Sequence, residues 1–151
     1  MRLIAIGKGG AGPERELLAR YAKRIRPELT LTELPDGTGS AAEIKRREAE
    51  AILAALKPDE FVIALDMGGA EPDSPALARL LAGWLERSKK LAFVIGGAEG
   101  LDAAVLARAG AKLSLGKLTW PHMLVRPMLA EQIYRAQMIL AGHPYHRAGR
   151  P

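Results

Sequence analysis

The chain has 151 residues, of which 48% are hydrophobic and 26% charged, a composition typical of one soluble globular domain. The absence of cysteine excludes disulfides, thiolate catalysis and cysteine-ligated zinc, and three histidines, all beyond position 121, predict no metal site. No apolar run approaches the roughly 20 residues that span a bilayer, so we expect a cytoplasmic protein with no membrane partner. A net charge of +5 and a pI of about 9.7 indicate a nucleic-acid partner, although charge that serves only solubility is an alternative.

Apolar runs typical of strands alternate with helical patterns along the whole chain. The helical patterns begin at Pro13, at Ser40 with a capping box to Glu43, at Ser74 and at Asp102, and a long last helix ends near Gly142. This order predicts a single α/β domain over residues 1–151, with a mostly parallel sheet of five to six strands and helices on both faces. The predicted strands are Arg2–Ile6, Thr30–Leu34, Phe61–Leu65, Leu91–Ile95 and Lys112–Leu115.

The first loop, Gly7–Gly12, fits the G-x-G-x-x-G pattern of dinucleotide-binding folds. It follows a strand and opens a helix, and Glu33 ends the second strand, where such folds place a ribose-binding carboxylate. A glycine-rich stretch satisfies many spacings by chance, so a flexible connecting loop is the alternative. Five strands also leave no room for a second mononucleotide-binding half.

Two loops with glycine follow neighbouring apolar runs, at 96–100 and 115–121. Glycine lets a ligand approach the backbone without obstruction by a Cβ. Because parallel strands end at the same edge of a sheet, these loops and Asp66 should converge on one crevice. Exposed backbone groups there could bind an adenine edge, although each loop alone is equally compatible with an ordinary strand-to-helix turn.

The residues near the end of the chain combine histidine, tyrosine and arginine in the segment His143–Arg147. Such a group could supply a general base and a phosphate-binding cation together, although terminal tails are more often inert. On the last helix, Glu131 and Arg135 are spaced for a surface ion pair. The apolar stripe of that helix faces either the core or a second subunit, and Trp84 and Trp120 are predicted in the core or an interface.

Several segments together resemble the RlmH family of large-subunit ribosomal RNA pseudouridine N3-methyltransferases, within the SPOUT class. The C-terminal third carries most of the resemblance, which extends over nearly the whole chain. The segments are I-G-G-A-E-G-L (95–101), L-S-L-G-K-L-T-W-P-H (113–122), L-V-R (124–126), E-Q-I-Y-R-A (131–136) and H-P-Y-H-R (143–147).

The resemblance implies a SPOUT-type trefoil knot in the C-terminal half, a homodimer and S-adenosylmethionine as cofactor. It also overturns the dinucleotide interpretation of Gly7–Gly12, because the cofactor would lie at the C-terminal loops. The tail, 143–151, is implied to reach the partner's cofactor site. By position, the residues implied to bind the cofactor are Leu65, Gly97, Leu115, Gly116, Lys117, Leu118, Thr119, Trp120 and Pro121.

The implied reaction is methyl transfer to N3 of a pseudouridine in 23S rRNA, on the large subunit or the 70S ribosome. In this hypothesis His146 is the base or proton relay, Tyr145 orients it, and Arg147 holds a phosphate or a uracil-type oxygen. Basic residues over Arg20–Arg26 and Lys45–Arg47 would grip RNA without base specificity. The alternatives are a non-catalytic RNA- or ribosome-binding module, a tRNA methyltransferase and a nicotinamide-dependent enzyme.

Two positions depart from the family pattern. Gly116 stands where relatives carry a serine, which removes one possible side-chain hydrogen bond and spares the backbone contacts. Pro127 follows closely on the expected start of the last helix, where proline is tolerated only near the first turn, so we expect that helix to start later than the Pro121–His122 step. The last four residues, 148–151, are expected to be disordered.

Overall fold

The computed structural model describes residues 1–147, in which five strands alternate with five helices. The expected disorder of residues 148–151 lies outside the described residues. The strands are β1 (Arg2–Ile6), β2 (Thr30–Leu34), β3 (Phe61–Ala70), β4 (Leu91–Ile95) and β5 (Ala111–Leu113). The helices are α1 (Pro13–Ala22), α2 (Ala41–Ala55), α3 (Ser74–Arg87), α4 (Ala103–Arg108) and α5 (His122–Leu140).

The strands form one parallel sheet in the order β2-β1-β4-β3-β5. Parallel neighbours must be joined by a crossover, and a helix supplies it after each strand. The carboxyl ends of all five strands therefore lie at one edge of the sheet. There the loops after β4, β3 and β5 are neighbours, because these strands are adjacent. The predicted α/β architecture with a parallel sheet is confirmed, with five strands.

Both faces of the sheet are covered, as the nearly unbroken apolar strands require. On β1, Leu3 and Ala5 face a core layer closed by α1, α3 and α5, whereas Ile4 and Ile6 face a second layer closed by α2 and α4. Each fully buried Leu or Ile contributes about 1.5–3 kcal/mol relative to an exposed one. Trp84 of α3 lies in the first layer, which confirms its predicted place in the core.

The third strand is longer than the sequence predicts. The expected strand ends at Leu65, whereas β3 continues to Ala70, so the loop predicted over 66–72 is wrong for its first part. Both Leu65 and Ala70 pair with Leu113 of β5, and the segment between them departs from the regular ladder. Gly69 permits this approach, because a Cβ there would lie 2.6 Å from the backbone nitrogen of Leu113.

The fifth strand is shorter than predicted and ends at Leu113 instead of Leu115. The next amide, that of Ser114, turns to donate to the carbonyl of Ala70 at 2.8 Å. The chain therefore leaves the sheet early, and residues from Ser114 onward are available to line a cavity.

The last helix begins at His122, directly after Pro121, and Pro127 lies inside it. The expectation that Pro127 would delay the start of this helix is wrong. Proline removes the N–H that would otherwise reach the carbonyl of Met123, at a local cost of about 3 kcal/mol. Pro127 is buried, and the packing of α5 against α1 and α3 offsets that cost.

A buried ion pair joins the last helix to the first two strands. Arg126, only 2% exposed, donates from Nη1 to Oε1 of Glu33 at 2.9 Å. Its Nη2 donates to the carbonyls of Ile6 at 2.7 Å and Gly7 at 2.8 Å. Burial opposes the ionisation of Glu33, but the Gly9 amide at 2.7 Å and two nearby guanidinium groups outweigh it and hold the pKa of Glu33 below its usual value.

We expect Glu33→Gln to lower the free energy of unfolding by about 2 kcal/mol at pH 7, because a charged hydrogen bond to a buried guanidinium is weakened. A carboxylate with a lowered folded pKa stabilises the fold above its unfolded pKa of about 4.3. The difference from the wild-type chain should therefore persist above about pH 5 and shrink as the pH falls through the folded pKa of Glu33. Urea unfolding across this pH range measures it.

Glu86→Gln, an exposed carboxylate on α3, is the matched control and should change stability by no more than about 0.5 kcal/mol. A Glu33→Gln effect that does not decrease at low pH would contradict the assignment of the stabilisation to the ionised carboxylate.

Candidate functional site

A cavity of about 350 Å³ lies at the carboxyl ends of β3, β4 and β5. We call it the glycine-loop pocket, because the loop 96–100 forms one wall and the segment 113–120 forms another. Its volume falls within the range of about 300 to 1,000 Å³ found for small-molecule sites. The lining residues are Lys45, Leu65, Asp66, Met67, 95–101, 113–116, 118–120, His122 and Val125.

The residues predicted to bind a cofactor are largely brought together in this pocket. Seven of the nine line it: Leu65, Gly97, Leu115, Gly116, Leu118, Thr119 and Trp120. The other two, Lys117 and Pro121, are exposed and do not line it. Two separate loops and the end of a third strand thus converge as the sequence predicted.

Glycine shapes two walls of the pocket in different ways. Gly116 has φ +101°, a conformation that side chains rarely adopt, although nothing lies near the position of a Cβ. Gly97 is limited by contact, because a Cβ there would lie 2.8 Å from both carboxylate oxygens of Glu48. These walls therefore present backbone N–H and C=O groups directly to the cavity.

Charged and titratable side chains contribute to the same lining. Lys45 comes from α2, and His122 is the first residue of α5. Asp66 lies at the end of the regular part of β3, and its Oδ1 accepts from the amide of Gly68 at 2.9 Å. Sequence reasoning missed Lys45 and His122 as pocket residues. Position after the 115–121 loop was a signal for His122, whereas Lys45 is brought in only by the packing of α2.

A second, larger cavity of about 650 Å³ lies between α1, α3 and α5. We call it the helix-side pocket, because residues of these three helices contribute to its lining, together with 71–73 and 113–116. The segment 113–116 lines both pockets and separates them. Of the nine residues predicted to bind the cofactor, only Leu115 and Gly116, which belong to the 113–116 segment, line the helix-side pocket.

The tail packs on its own chain beside the helix-side pocket. The hydroxyl of Tyr145 donates to Oε1 of Glu131 at 3.0 Å and lies 3.3 Å from the hydroxyl of Tyr21. Its ring meets that of Tyr134 edge-on at 4.9 Å. Burial, followed by the hydrogen bonds with Tyr21 and Glu131, raises the pKa of Tyr145. The predicted Glu131–Arg135 ion pair is confirmed at 2.6 Å, and it is half-buried.

The other two predicted catalytic residues lie close to Tyr145 in the chain. Nδ1 of His146 is buried and has no hydrogen-bond partner within the described residues, and Arg147 is exposed. Tyr145 donates its amide proton to Nδ1 of His143 at 3.2 Å. None of His146, Tyr145 and Arg147 lines the glycine-loop pocket of the same chain.

The loop Gly7–Gly12 does not form a nucleotide site. The cavity beside it measures about 10 Å³, which is room for about one water molecule. Glu33, the expected ribose-binding residue, is engaged by the Gly9 amide and by Arg126. Within residues 1–147, no group of three or more His, Cys, Asp or Glu side chains is placed to hold a metal ion, and no helix is long and apolar enough to cross a membrane.

The basic residues predicted to contact RNA differ in whether their side chains already make contacts within the chain. On α1 and the turn after it, Arg24 donates to the hydroxyl of Tyr134 at 2.5 Å and stacks on its ring, with 4.1 Å to the centroid. On α2, Arg46 pairs with Glu50 at 2.5 Å, and Arg47 donates to the hydroxyl of Thr38. Other basic residues of both stretches, such as Arg20, are exposed.

Comparison with known proteins gives a family match over almost the whole chain. Residues 1–146 match the family described as "Predicted SPOUT methyltransferase". The chain is 64% identical to the Ribosomal RNA large subunit methyltransferase H of Acidiphilium cryptum (strain JF-5), covering 100% of this chain and 96% of that protein. It is 58% identical to the protein of that name from Gluconacetobacter diazotrophicus, and this match covers 100% of this chain and 99% of that protein.

Solved structures with low sequence identity share the fold. A probable methylase family protein from Haemophilus influenzae Rd KW20 gives a TM-score of 0.53 at 13% identity, over 99% of this chain and 71% of that one. The SpoU methyltransferase AviRb from Streptomyces viridochromogenes, solved with AdoMet, gives a TM-score of 0.50 at 12% identity. That match covers 91% of this chain and 58% of the AviRb chain. By its family match and its relatives, the chain belongs to the SPOUT methyltransferases, in the RlmH family.

Proposed function

We propose that the protein transfers a methyl group from S-adenosylmethionine to N3 of a pseudouridine in 23S rRNA, acting in the cytoplasm on the large subunit or the 70S ribosome. The observation that carries the proposal is the glycine-loop pocket, whose walls are formed by the segments that carry the family resemblance. Identity of 64% along the whole chain to a protein named as a ribosomal RNA large subunit methyltransferase supports the substrate class. The trefoil knot stays a prediction from the family.

The pocket has the chemistry that S-adenosylmethionine needs. Its backbone-lined walls at Gly97 and Gly116 suit the hydrogen-bonding edge of an adenine, and Leu65, Leu115 and Leu118 supply an apolar surface for the ring. The cofactor supplies an electrophilic methyl group on a sulfonium. The protein therefore has to orient the base, exclude water and remove the N3 proton.

His146 is the residue we propose to accept the N3 proton. Imidazole is the side chain that most often takes up a proton in general-base catalysis. Arg147 would hold a phosphate or a uracil-type oxygen of the target. Tyr145, proposed to orient His146, hydrogen-bonds to Glu131 and Tyr21 in this structure and makes no hydrogen bond to His146 within the described residues. Its proposed role is thus to anchor the tail on α1 and α5.

A homodimer would bring the tail of one chain to the pocket of the other. The described part of the tail, residues 143–147, does not line the glycine-loop pocket of its own chain, although the proposed chemistry requires both. The helix-side pocket and the exposed side chains of Leu17 and Leu124 form an apolar surface that a second copy could cover. Trp120, on the 113–120 segment, is 39% exposed.

The ribosome would supply much of the target recognition. A chain of this size with a net charge of +5 can neutralise only a limited number of phosphates. Exposed basic residues such as Arg20 on α1 and Lys23 directly after it would contact the RNA backbone without reading bases. We therefore expect methyl transfer to assembled particles to exceed transfer to free 23S rRNA and to tRNA.

We expect His146→Ala to lower methyl transfer to 70S ribosomes by about 10²- to 10⁴-fold, the usual contribution of a general base. The affinity for S-adenosylmethionine should change little, since the pocket of each chain is lined without His146 and the proposed partner of His146 is the target base, not the cofactor. Incorporation of a labelled methyl group into 23S rRNA of ribosomes that lack the modification measures the rate, and titration calorimetry measures the affinity.

His143→Asn is the matched control, because its side-chain oxygen can replace Nδ1 as the acceptor for the Tyr145 amide. It should retain most of the wild-type rate. Label in tRNA, or in no RNA at all, would contradict the proposed function, and an unchanged rate in His146→Ala would contradict the assignment of the base.

Gly116→Ala should weaken S-adenosylmethionine binding by about tenfold. The reason is backbone strain, because an L-residue at φ +101° costs roughly 1–2 kcal/mol. Gly83→Ala is the control: its site on α3 is equally open but helical, so it should keep the affinity and stabilise the chain by up to about 1 kcal/mol. Equal affinities for all three proteins would place the cofactor elsewhere.

Complementation tests whether the tail acts in trans. Gly97→Val should displace the 96–100 loop by its clash with Glu48 behind it and so disrupt the pocket, and His146→Ala should disable the tail. If each active site combines the pocket of one chain with the tail of the other, co-expression of the two inactive variants should restore about a quarter of the wild-type activity through mixed dimers. Failure to restore activity, with mixed dimers present by mass spectrometry, would contradict a shared site.

A further inference from the structure

Glu48 is a buried carboxylate with incomplete hydrogen bonding. It lies on α2 and is 4% exposed. Its Oε1 accepts from the amide of Gly37 at 3.0 Å. Its Oε2 is buried and has no hydrogen-bond partner within residues 1–147. An unpaired buried oxygen of this kind is costly, so a side chain that keeps it invites a functional explanation.

The carboxylate of Glu48 lies directly behind the glycine-loop pocket. A Cβ built on Gly97 would be 2.8 Å from each of its oxygens, and Gly97 lines the pocket. Glu48 itself does not line it. One residue of backbone therefore separates the charge from the cavity. A charge at such a distance from bulk water is weakly screened by salt.

The other charged groups at this pocket do not cancel that of Glu48. Lys45, Asp66 and Glu99 line the cavity, so two carboxylates and one ammonium group face it before Glu48 is considered. Lys45 lies one turn before Glu48 on α2, and no ion pair joins the two. The pocket is therefore set in a net negative environment.

We propose that Glu48 makes the pocket prefer a sulfonium cofactor over the neutral thioether that methyl transfer leaves. The inference rests on the proposed function, in which S-adenosylmethionine occupies this pocket. On transfer the C–S bond breaks and both its electrons stay on sulfur, so the cofactor loses one positive charge. A buried carboxylate behind Gly97 attracts the charged form and gains nothing from the neutral one. Glu48 thus favours cofactor binding and product release together.

Glu48→Gln separates this electrostatic role from a structural one. The glutamine keeps an oxygen to accept the Gly37 amide and removes only the charge. We expect its affinity for S-adenosylmethionine to fall by about tenfold and its affinity for S-adenosylhomocysteine to stay within about twofold of wild type. Titration calorimetry with both ligands, together with a thermal melt of each variant, measures these quantities.

Glu50→Gln on the same helix is the matched control, because Glu50 is exposed and pairs with Arg46; both affinities should stay unchanged. Lys45→Gln provides an independent test that does not disturb a buried group. Removing a positive charge from the lining should raise the preference for S-adenosylmethionine by about two- to threefold.

An equal loss of both affinities in Glu48→Gln would show that Glu48 only shapes the loop and would overturn the proposal. Unchanged affinities in Glu48→Gln would overturn it as well. If Glu48→Gln does not fold, an unchanged ratio of the two affinities in Lys45→Gln overturns it. Failure of the proposed function would look different: the wild-type chain would bind neither ligand, or Gly116→Ala would leave both affinities unchanged.

Discussion

The buried guanidinium of Arg126 is the interaction on which the arrangement of the site depends. It belongs to the second turn of α5, and its Nη1 and Nη2 donate to Glu33 of β2 and to the carbonyls of Ile6 and Gly7, whereas its Nε has no hydrogen-bond partner within residues 1–147. A charge this deep is tolerated only with such partners, so α5 can start in one place only. The preceding segment, 114–121, must then cross the carboxyl edge of the sheet between β5 and that fixed start. Its path across this edge closes the glycine-loop pocket.

Much of the fold was accessible from the sequence because its signals are local. Each strand is an apolar run bounded by turn residues, and Ser40 with Glu43 forms the predicted capping box. The structure differs from the prediction where contacts between distant segments of the chain determine the local structure. The extension of β3 to Ala70 depends on pairing with β5, which follows it by some forty residues. Pro127 inside α5 contradicts a local rule, and the packing of that helix on two others overrides it.

The site shows the same division between local and distant determinants. All strands of a parallel sheet end at one edge, so the approach of Gly97, after β4, to the 115–120 segment, after β5, was predictable without coordinates, although β3 lies between the two strands. The positions of Lys45 and Glu48 at this pocket were not predictable. Nothing in the neighbouring sequence distinguishes them from residues on the solvent-exposed face of an amphipathic helix. The anchoring of Tyr145 on Tyr21 and Glu131 was equally inaccessible. The contact with Tyr21 joins residues 124 positions apart.

The segment 113–116 lines two cavities at once, and its first residue, Leu113, also belongs to the core. A larger side chain in this segment would change the volume of one or both cavities, and a shift of the segment's backbone would change the shape of both. Few sequences can satisfy the shapes of two cavities at once. We therefore expect few substitutions to be tolerated at these four positions. A ligand bound in one cavity would affect the shape of the other through this segment.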